Sequence, residues 1–235
     1  FAYPHFLDNN FSDKYPLQGR PFTKGTALKK SLEELVIEGG GGGQLYETYE
    51  LAALYYARNV SMPNAIKPII IFIGDEMPYE YVERDHAKQY ANVKLEKRLS
   101  TKDIFEELKI KYSVYLISKP YGSGGNVDSL DEQSAQVRRA WLKLLDEDHI
   151  CFLPGADRVV DVIFGILAKE TSRIDYFRKE LEGRQRPDQV KTVYKSLNTV
   201  HAMADGKKDN KLLTPGKSVM HKTVHGKKTK KLTDD

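Results

Sequence analysis

"KPIIIFIGDE", residues 67–76, is the segment of this chain that decides its fold. Between Pro68 and Gly74 lie four isoleucines and one phenylalanine, with no polar residue among them. A continuous apolar run of this kind is typical of a parallel strand that is covered on both faces of its sheet. We therefore expect a central parallel strand that ends at Gly74, followed by a turn that begins with Asp75.

Helical and strand patterns alternate through the rest of the sequence. Apolar residues recur at helical spacing in the segments 26–37, 45–59, 79–90, 100–112, 135–147 and 156–183, the last with a break near Thr171. Apolar runs at 112–120 and 149–155 predict two more strands, residues 1–7 have the pattern of a strand, and a weak helix is expected at 190–203. Strands separated by helices imply an α/β fold with a mainly parallel, doubly wound, Rossmann-like sheet.

The helical spacing also predicts which side chains pack inward. Each set of apolar residues falls on one side of its helix, and that side would cover the sheet. The residues predicted to face inward are Leu28, Leu32, Leu35 and Val36; Leu45, Tyr49, Ala52, Ala53 and Tyr56; Ile104, Leu108 and Ile110; and Val159, Val160, Ile163, Ile166 and Leu167.

Positive charge is concentrated at the C-terminal end of the chain. The formal net charge is +4, but residues 206–235 hold nine lysines against three aspartates, so the preceding part is close to neutral. We divide the chain into an α/β domain at 1–184, a helical extension at 185–205 and a basic tail at 206–235, expected to be flexible or ordered by a partner. Contact with nucleic acid is expected only through the tail. Because the tail lacks arginine and aromatic residues, a solvated end is the favoured interpretation.

Cysteine content and hydropathy favour a cytoplasmic protein that does not enter a membrane. Cys151 is the single cysteine, which excludes an internal disulfide and fits a reducing compartment. No apolar run approaches the roughly 18 residues that a membrane helix needs. The segment "HICFLPG", residues 149–155, predicts that Cys151 is a buried strand residue and not a nucleophile.

Five consecutive glycines precede the second predicted helix in "EGGGGGQLYETYELAAL", residues 38–54. Three interpretations compete: a flexible linker, a phosphate-binding loop, or a tight loop whose backbone passes close to another loop or an ion. A linker is unexpected between two helices of one compact fold. The phosphate loop lacks both the GK[ST] ending and the GxGxxG unit, and Glu38 is anionic. We therefore favour a tight loop.

Asp75 follows the apolar strand directly. In open α/β folds, ligands bind outside the carboxyl ends of the strands, an edge of the sheet called the carboxyl rim below. A carboxylate at that place can meet a hard cation or a polar partner. An equally weighted alternative is that Asp75 or Glu76 only caps a helix after Pro78.

These features together resemble the von Willebrand factor A-type domain, in its intracellular prokaryote-like branch. The glycine-rich turn, the helix "ETYELAALYYAR" (47–58) and the strand "KPIIIFIGDE" follow one another in the family's order. The family's last two strands and closing helix are similar to "DIFEELKIKYSVYLIS" (103–118) and "AWLKLLDEDHICFLPGADRVVDVIFGILA" (140–168), and its second strand and following turn to "FLDNNFSDKYPLQGRPF" (6–22). The resemblance covers roughly residues 1–170. The family's first strand, with its Asp-x-Ser-x-Ser loop, has no counterpart.

The resemblance implies a metal-ion-dependent adhesion site, in which the family holds Mg²⁺ at the carboxyl rim and a partner protein supplies a further carboxylate. Asp75 corresponds to the family's aspartate after the fourth strand. The family's second metal-binding loop falls on Gly42, Gly43 and Gln44, where the sequence has no threonine; Thr48 lies further along. Additional carboxylates that could reach the rim are Glu47, Glu76 and Asp8.

The function implied by the resemblance is protein binding at the rim, through a divalent metal ion, with an AAA+ ATPase or another subunit of an assembly as the partner. The sequence has no GxSxG nucleophile motif and no HExxH pair, which favours a binding module over an enzyme. The main alternative is a structural subunit with a degenerate metal site, held in its assembly by the basic tail. An enzyme acting on a nucleotide or phosphate is the least favoured hypothesis.

Overall fold

The structure is a computed structural model. It describes residues 6–8, 14–37, 45–121 and 130–201, and the side chains of 6–8 and 198–201 lie outside that description. In chain order the strands and helices are β1 (Phe6–Asp8), β2 (Leu17–Gly19), α1 (Ala27–Glu33), β3 (Tyr46–Glu47), α2 (Tyr49–Asn59), β4 (Ile69–Gly74), β5 (Met77–Pro78), β6 (Tyr81–Val82), α3 (Arg84–Ala91), β7 (Leu99–Ser100), α4 (Thr101–Lys111), β8 (Ser113–Ser118), α5 (Glu132–Trp141), β9 (Ile150–Phe152), α6 (Val159–Glu170), α7 (Ile174–Arg184) and α8 (Pro187–His201). No helix within these ranges is long and apolar enough to cross a membrane.

A parallel sheet with the strand order β4–β8–β9 lies at the centre. Ile69–Gly74 pair in register with Ser113–Ser118, and Leu116–Ser118 pair with Ile150–Phe152. Successive side chains of a strand point to opposite faces, so Ile70 and Phe72 pack on one face and Ile69 and Ile71 on the other. Helices cover both faces, which explains why the strands are apolar throughout. The predicted α/β class with a parallel sheet is confirmed.

One face of the sheet is covered by α2, α3, α4 and α5, with Trp141 at the centre of the packing. The indole is fully buried, and its ring centroid lies 5.2, 5.7 and 5.7 Å from those of Tyr49, Phe72 and Phe105. Tyr49 comes so close to the end of β4 that a Cβ atom on Gly74 would lie 1.9 Å from its hydroxyl oxygen. The carboxyl end of β4 therefore needs glycine for a packing reason.

Helices α6, α7 and α8 cover the other face. α6 and α8 approach closely at Gly165, where a Cβ atom would lie 2.2 Å from Leu197 Cδ1. α8 also covers β9, because the Ser196 hydroxyl donates to the Phe152 carbonyl. Cys151 is fully buried on this face, and burial raises the pKa of its thiol to about 12. The expectation that Cys151 is a buried strand residue is confirmed.

Short paired segments hold the chain around the rim. β3 pairs with β5 in parallel, while β1–β2 and β6–β7 are antiparallel pairs. The Thr48 hydroxyl donates to the Pro16 carbonyl over 2.6 Å, which ties the start of α2 to the segment that leads into β2. The carboxylate of Glu50, with no exposed surface, accepts the Tyr79 amide N–H at 3.0 Å. The Glu50 bond fixes the start of α2 against the loop that follows β5.

The position of β4 differs from the expectation of a central strand. Among the described residues it pairs with β8 alone, so it lies at the edge of the three-stranded sheet. The helices that cover both faces of the sheet explain the apolar sequence of β4. The backbone on the outer side of β4, however, has no strand partner in the described chain. Ile73, near the end of this strand, is 43% exposed.

Several side chains predicted to face inward are exposed. They are Leu32 (47%), Val36 (45%), Ile110 (85%) and Val160 (56%). α1 ends at Glu33, so Val36 is not part of it. Ile110 and Val160 lie two positions from the buried Leu108 and Val162, which places them on the opposite side of their helices. The break predicted near Thr171 is confirmed, since α6 ends at Glu170 and α7 begins at Ile174.

Candidate functional site

The carboxyl ends of the three parallel strands meet in one place. The Gly74 carbonyl accepts the Lys119 N–H at 2.9 Å, and the Ser118 carbonyl accepts the Leu153 N–H at 2.7 Å, so the segments that leave β4, β8 and β9 remain side by side. Asp75 and Glu76 follow β4 directly. This is the rim at which an open parallel sheet binds its ligands.

Glu76 is the most constrained carboxylate of the rim. Its backbone carbonyl accepts the Trp141 indole N–H at 2.8 Å, which anchors the residue to the buried core. Its side chain is half-buried, and its Oε2 atom is buried without a hydrogen-bond partner among the described residues. Desolvation raises the pKa of the Glu76 carboxyl; the Tyr121 hydroxyl, hydrogen-bonded to it, acts in the opposite direction, and the nearby Asp75 raises it further.

Tyr121 brings three of the predicted rim residues together. Burial raises the pKa of its phenol most, followed by the hydrogen bond to Glu76 and the negative charges of Glu76, Asp75 and Glu47. Glu47 reaches this place because β3 pairs with β5 in the register Glu47 to Pro78, two residues beyond Glu76. The side chains of Asp75, Glu76 and Glu47, called the rim carboxylates below, therefore all lie near enough to the Tyr121 hydroxyl for their charges to raise its pKa.

The rim carboxylates offer a cation only oxygen donors. Oxygen donors are what Mg²⁺ and Ca²⁺ prefer, and the unpartnered oxygen of Glu76 is a donor that a cation would satisfy. Their chemistry therefore fits the implied magnesium ion. In the described chain, however, the carboxylate oxygens of these three residues do not all lie within 4.8 Å of one another. A bound ion would have to draw them closer or use further donors.

The set that does satisfy this distance is Asp146, Asp148 and His149. It lies just before β9, at the amino ends of the strands and thus at the opposite end of the sheet from the rim. His149 Nδ1 is 2.9 Å from Asp148 Oδ1, and the imidazole lies against the Tyr115 ring with the two centroids 4.7 Å apart. One imidazole with two carboxylates can hold a divalent ion. The Lys169 ammonium, 3.7 Å from Asp148 Oδ2, competes with an ion for that carboxylate.

The predicted site residues are thus only partly assembled by the described chain. Asp75, Glu76 and Glu47 come together, whereas Gly42, Gly43 and Gln44 lie outside the described residues. Asp8 pairs through its backbone with Leu17, beside the Pro16 carbonyl that Thr48 contacts. The Thr48 hydroxyl is buried in that contact, at 0% exposure.

Sequence reasoning missed Tyr121 and the Asp146 cluster. The signal for Tyr121 was available, because "SKPYG" follows the second predicted strand at the same edge as Asp75. The signal for the cluster was the run "DEDH", residues 146–149, next to a predicted strand.

Comparison with known proteins adds no assignment. No protein-family model matches the chain. No curated protein and no solved structure is significantly similar to it.

Proposed function

We propose that this chain is a protein-binding module that engages its partner at the carboxyl rim. The observation that carries the proposal is the convergence of the rim carboxylates on Tyr121, with a buried oxygen of Glu76 that nothing in the described chain satisfies. Three carboxylates around one half-buried position favour an incoming cation, because an ion or an ammonium group would relieve their repulsion and desolvation. The partner would therefore present a basic side chain or share a divalent ion.

The von Willebrand A type is the fold family that we propose for the chain, on the strength of the resemblance and of the α/β fold with its parallel sheet. In that case the ion would be Mg²⁺, held by Asp75 and, from the glycine-rich loop, Gln44. The ion would supply a fixed positive charge that a partner carboxylate completes. An AAA+ ATPase or another subunit of a cytoplasmic assembly would be the partner, and the chain would not be an enzyme.

Isothermal titration calorimetry tests the proposal with two probes in separate experiments, Mg²⁺ alone and a lysine-rich peptide alone. Asp75→Asn and Glu76→Gln each remove one negative charge from the rim with little change in shape. Both variants should weaken binding of the effective probe by about tenfold or more, equivalent to about 1.4 kcal/mol or more. The probe that binds tells whether the rim takes an ion or a basic side chain.

Two control variants make the result specific. Glu180→Gln removes an exposed carboxylate on α7 and should leave binding unchanged. Asp148→Asn disables the Asp146 cluster, so Mg²⁺ binding that disappears in this variant but survives in Asp75→Asn belongs to the opposite end of the sheet. That result, or binding of neither probe to the intact chain, would contradict the proposal.

A further inference from the structure

The short turn that leads into β9 brings three side chains of metal-ligating types together. Asp146 precedes a single turn of 3₁₀ helix at Glu147–His149, and the His149 N–H donates to the Asp146 carbonyl over 2.9 Å, which closes the turn. Residues three apart lie on the same side of such a helix, so Asp146 and His149 share a side. Together with Asp148, their three donor atoms all lie within 4.8 Å of one another.

The closest pair of donor atoms in the Asp146 cluster already has the spacing of two ligands on one ion. His149 Nδ1 is 2.9 Å from Asp148 Oδ1, and two donors bound to an ion at about 2.0–2.1 Å each lie about 3 Å apart when they are neighbours. Donors on opposite sides of such an ion are about 4.2 Å apart. The three donors therefore need to close by less than about 1 Å, which a rotation of the exposed Asp146 side chain can supply.

Three neighbouring elements hold this turn in place. The Arg138 guanidinium of α5 pairs with the glutamate of the turn. The Tyr115 ring of β8 lies against the His149 imidazole, with the two centroids 4.7 Å apart. The Lys169 ammonium of α6 donates to the Asp148 backbone carbonyl over 3.1 Å. Because these contacts order the turn before a ligand arrives, little conformational entropy would be lost on binding.

Lys169 offsets only part of the negative charge of the Asp146 cluster. Its ammonium lies 3.7 Å from Asp148 Oδ2, whereas Oδ1 is the oxygen that faces His149, so an ion at Oδ1 leaves the lysine contact in place. The Asp146 carboxylate does not cap the turn that it precedes, although aspartate is a preferred capping residue. Two carboxylates are thus held together beside one ammonium group, and a bound cation would offset their repulsion.

We propose that Asp146, Asp148 and His149 bind a divalent transition-metal ion of the Zn²⁺ type. An imidazole nitrogen suits Zn²⁺ and its neighbours in the first transition series, whereas Mg²⁺ and Ca²⁺ prefer oxygen donors alone. Three donors from the chain leave the remaining coordination positions to water, which the exposure of Asp146 allows. The site lies at the opposite end of the sheet from the rim, so it goes beyond the rim proposal and can hold without it.

Isothermal titration calorimetry of the full chain with Zn²⁺ alone tests the proposal. His221 and His225 lie four residues apart in the basic tail and could bind Zn²⁺ themselves, so a background protein that carries His221→Gln and His225→Gln is used throughout. We expect this background protein to bind Zn²⁺, and His149→Gln, Asp146→Asn and Asp148→Asn each to lower the affinity by about tenfold or more. An excess of Mg²⁺ should not displace the Zn²⁺.

Matched controls and a direct readout make the test specific. His86→Gln on α3 and Asp175→Asn on α7 change residues of the same types outside the Asp146 cluster and should leave the affinity unchanged. The ring ¹⁵N NMR signals of His149 should shift when Zn²⁺ is added to the background protein, a readout that needs no cluster variant to fold. No Zn²⁺ binding, unshifted His149 signals or full affinity in both aspartate variants of the cluster would each overturn the inference. Binding that is lost in Asp75→Asn but kept in Asp148→Asn would also overturn it, because the ion would then lie at the rim.

Discussion

At the scale of single residues, Glu76 joins the core of this molecule to its candidate site. Its backbone is held by the indole of Trp141, and its side chain shares the rim with Asp75 and Tyr121. A half-buried carboxyl with a raised pKa and an unpartnered oxygen is costly for a folded chain unless a ligand compensates it. Burying the unpartnered Glu76 oxygen costs free energy, and a bound ligand would offset that cost, which is the physical reason for placing the binding site here.

Gly74, the residue that ends β4, gives the first prediction. Gly74→Ala should lower the free energy of unfolding by about 1–3 kcal/mol, because its Cβ atom would overlap the hydroxyl of the buried Tyr49. Urea unfolding followed by Trp141 fluorescence measures it. Gly183→Ala is the matched control. Apart from the backbone of α7 itself and the chain neighbours, no atom of the described residues lies within 4 Å of the added Cβ, so stability should rise by up to about 1 kcal/mol. Equal stability of Gly74→Ala and the unmodified chain would show that Tyr49 does not require glycine there.

At the scale of elements, the carboxylate of Glu170 bonds the end of α6 to the sheet. Glu170 has a side chain 9% exposed and bonds to the Lys67 ammonium, the Tyr115 hydroxyl and the Ser113 hydroxyl. Partial burial alone would raise the pKa of the Glu170 carboxyl, but the bonds to Lys67, Tyr115 and Ser113 together outweigh it and hold the pKa below its usual range. The end of α6 is thereby tied to β8 and to the entry of β4.

Glu170→Gln should cost about 1–2 kcal/mol of stability near neutral pH, since charge-assisted hydrogen bonds are replaced by neutral ones. Because the folded-state pKa is depressed, the stabilisation is present above the unfolded-state pKa and is lost as the pH falls through the folded-state pKa. The difference in urea-unfolding free energy between the variant and the unmodified chain should therefore shrink on acidification below about pH 4. A difference that stays constant down to low pH would contradict the assignment; Glu180→Gln serves as the exposed control.

Which elements could be predicted depended on how local their determinants are. The strand at 69–74, the capped helix after Ser100 and the break after Glu170 were predictable, because each follows from residues next to one another in sequence. The exposure of Ile110 and Val160 was not, since periodicity gives the sides of a helix but not which side meets the sheet. The same limit applies to β4: an apolar run predicts burial of its faces and says nothing about its edges.

At the scale of the whole molecule, the sheet is asymmetric. One edge is covered by α8, the β4 edge has no strand partner among the described residues, and the carboxyl rim carries the acids near Tyr121. Asp75 and Glu76 were predictable as rim residues because parallel strands end at one edge. Glu47 was proposed only as an additional carboxylate, and the pairing of β3 with β5 brings it near the rim. The position of Tyr121 near the rim was also predictable from its place after β8, but its bond to Glu76 was not, because that bond depends on how the segment after β8 folds back. The predicted contribution of Gln44, Gly42 and Gly43 stays a prediction.

The central claim is that the rim carboxylates bind a cationic group, and the Trp141 indole N–H reports on it directly. The chain has one tryptophan, so its indole gives a single NMR signal, and that N–H is bonded to the carbonyl of Glu76. Titration with Mg²⁺ or with the lysine-rich peptide should move this signal in the unmodified chain and in Asp148→Asn, but not in Asp75→Asn or Glu76→Gln over the same concentration range. A signal that neither cation moves, or that moves equally in all four proteins, would contradict the account.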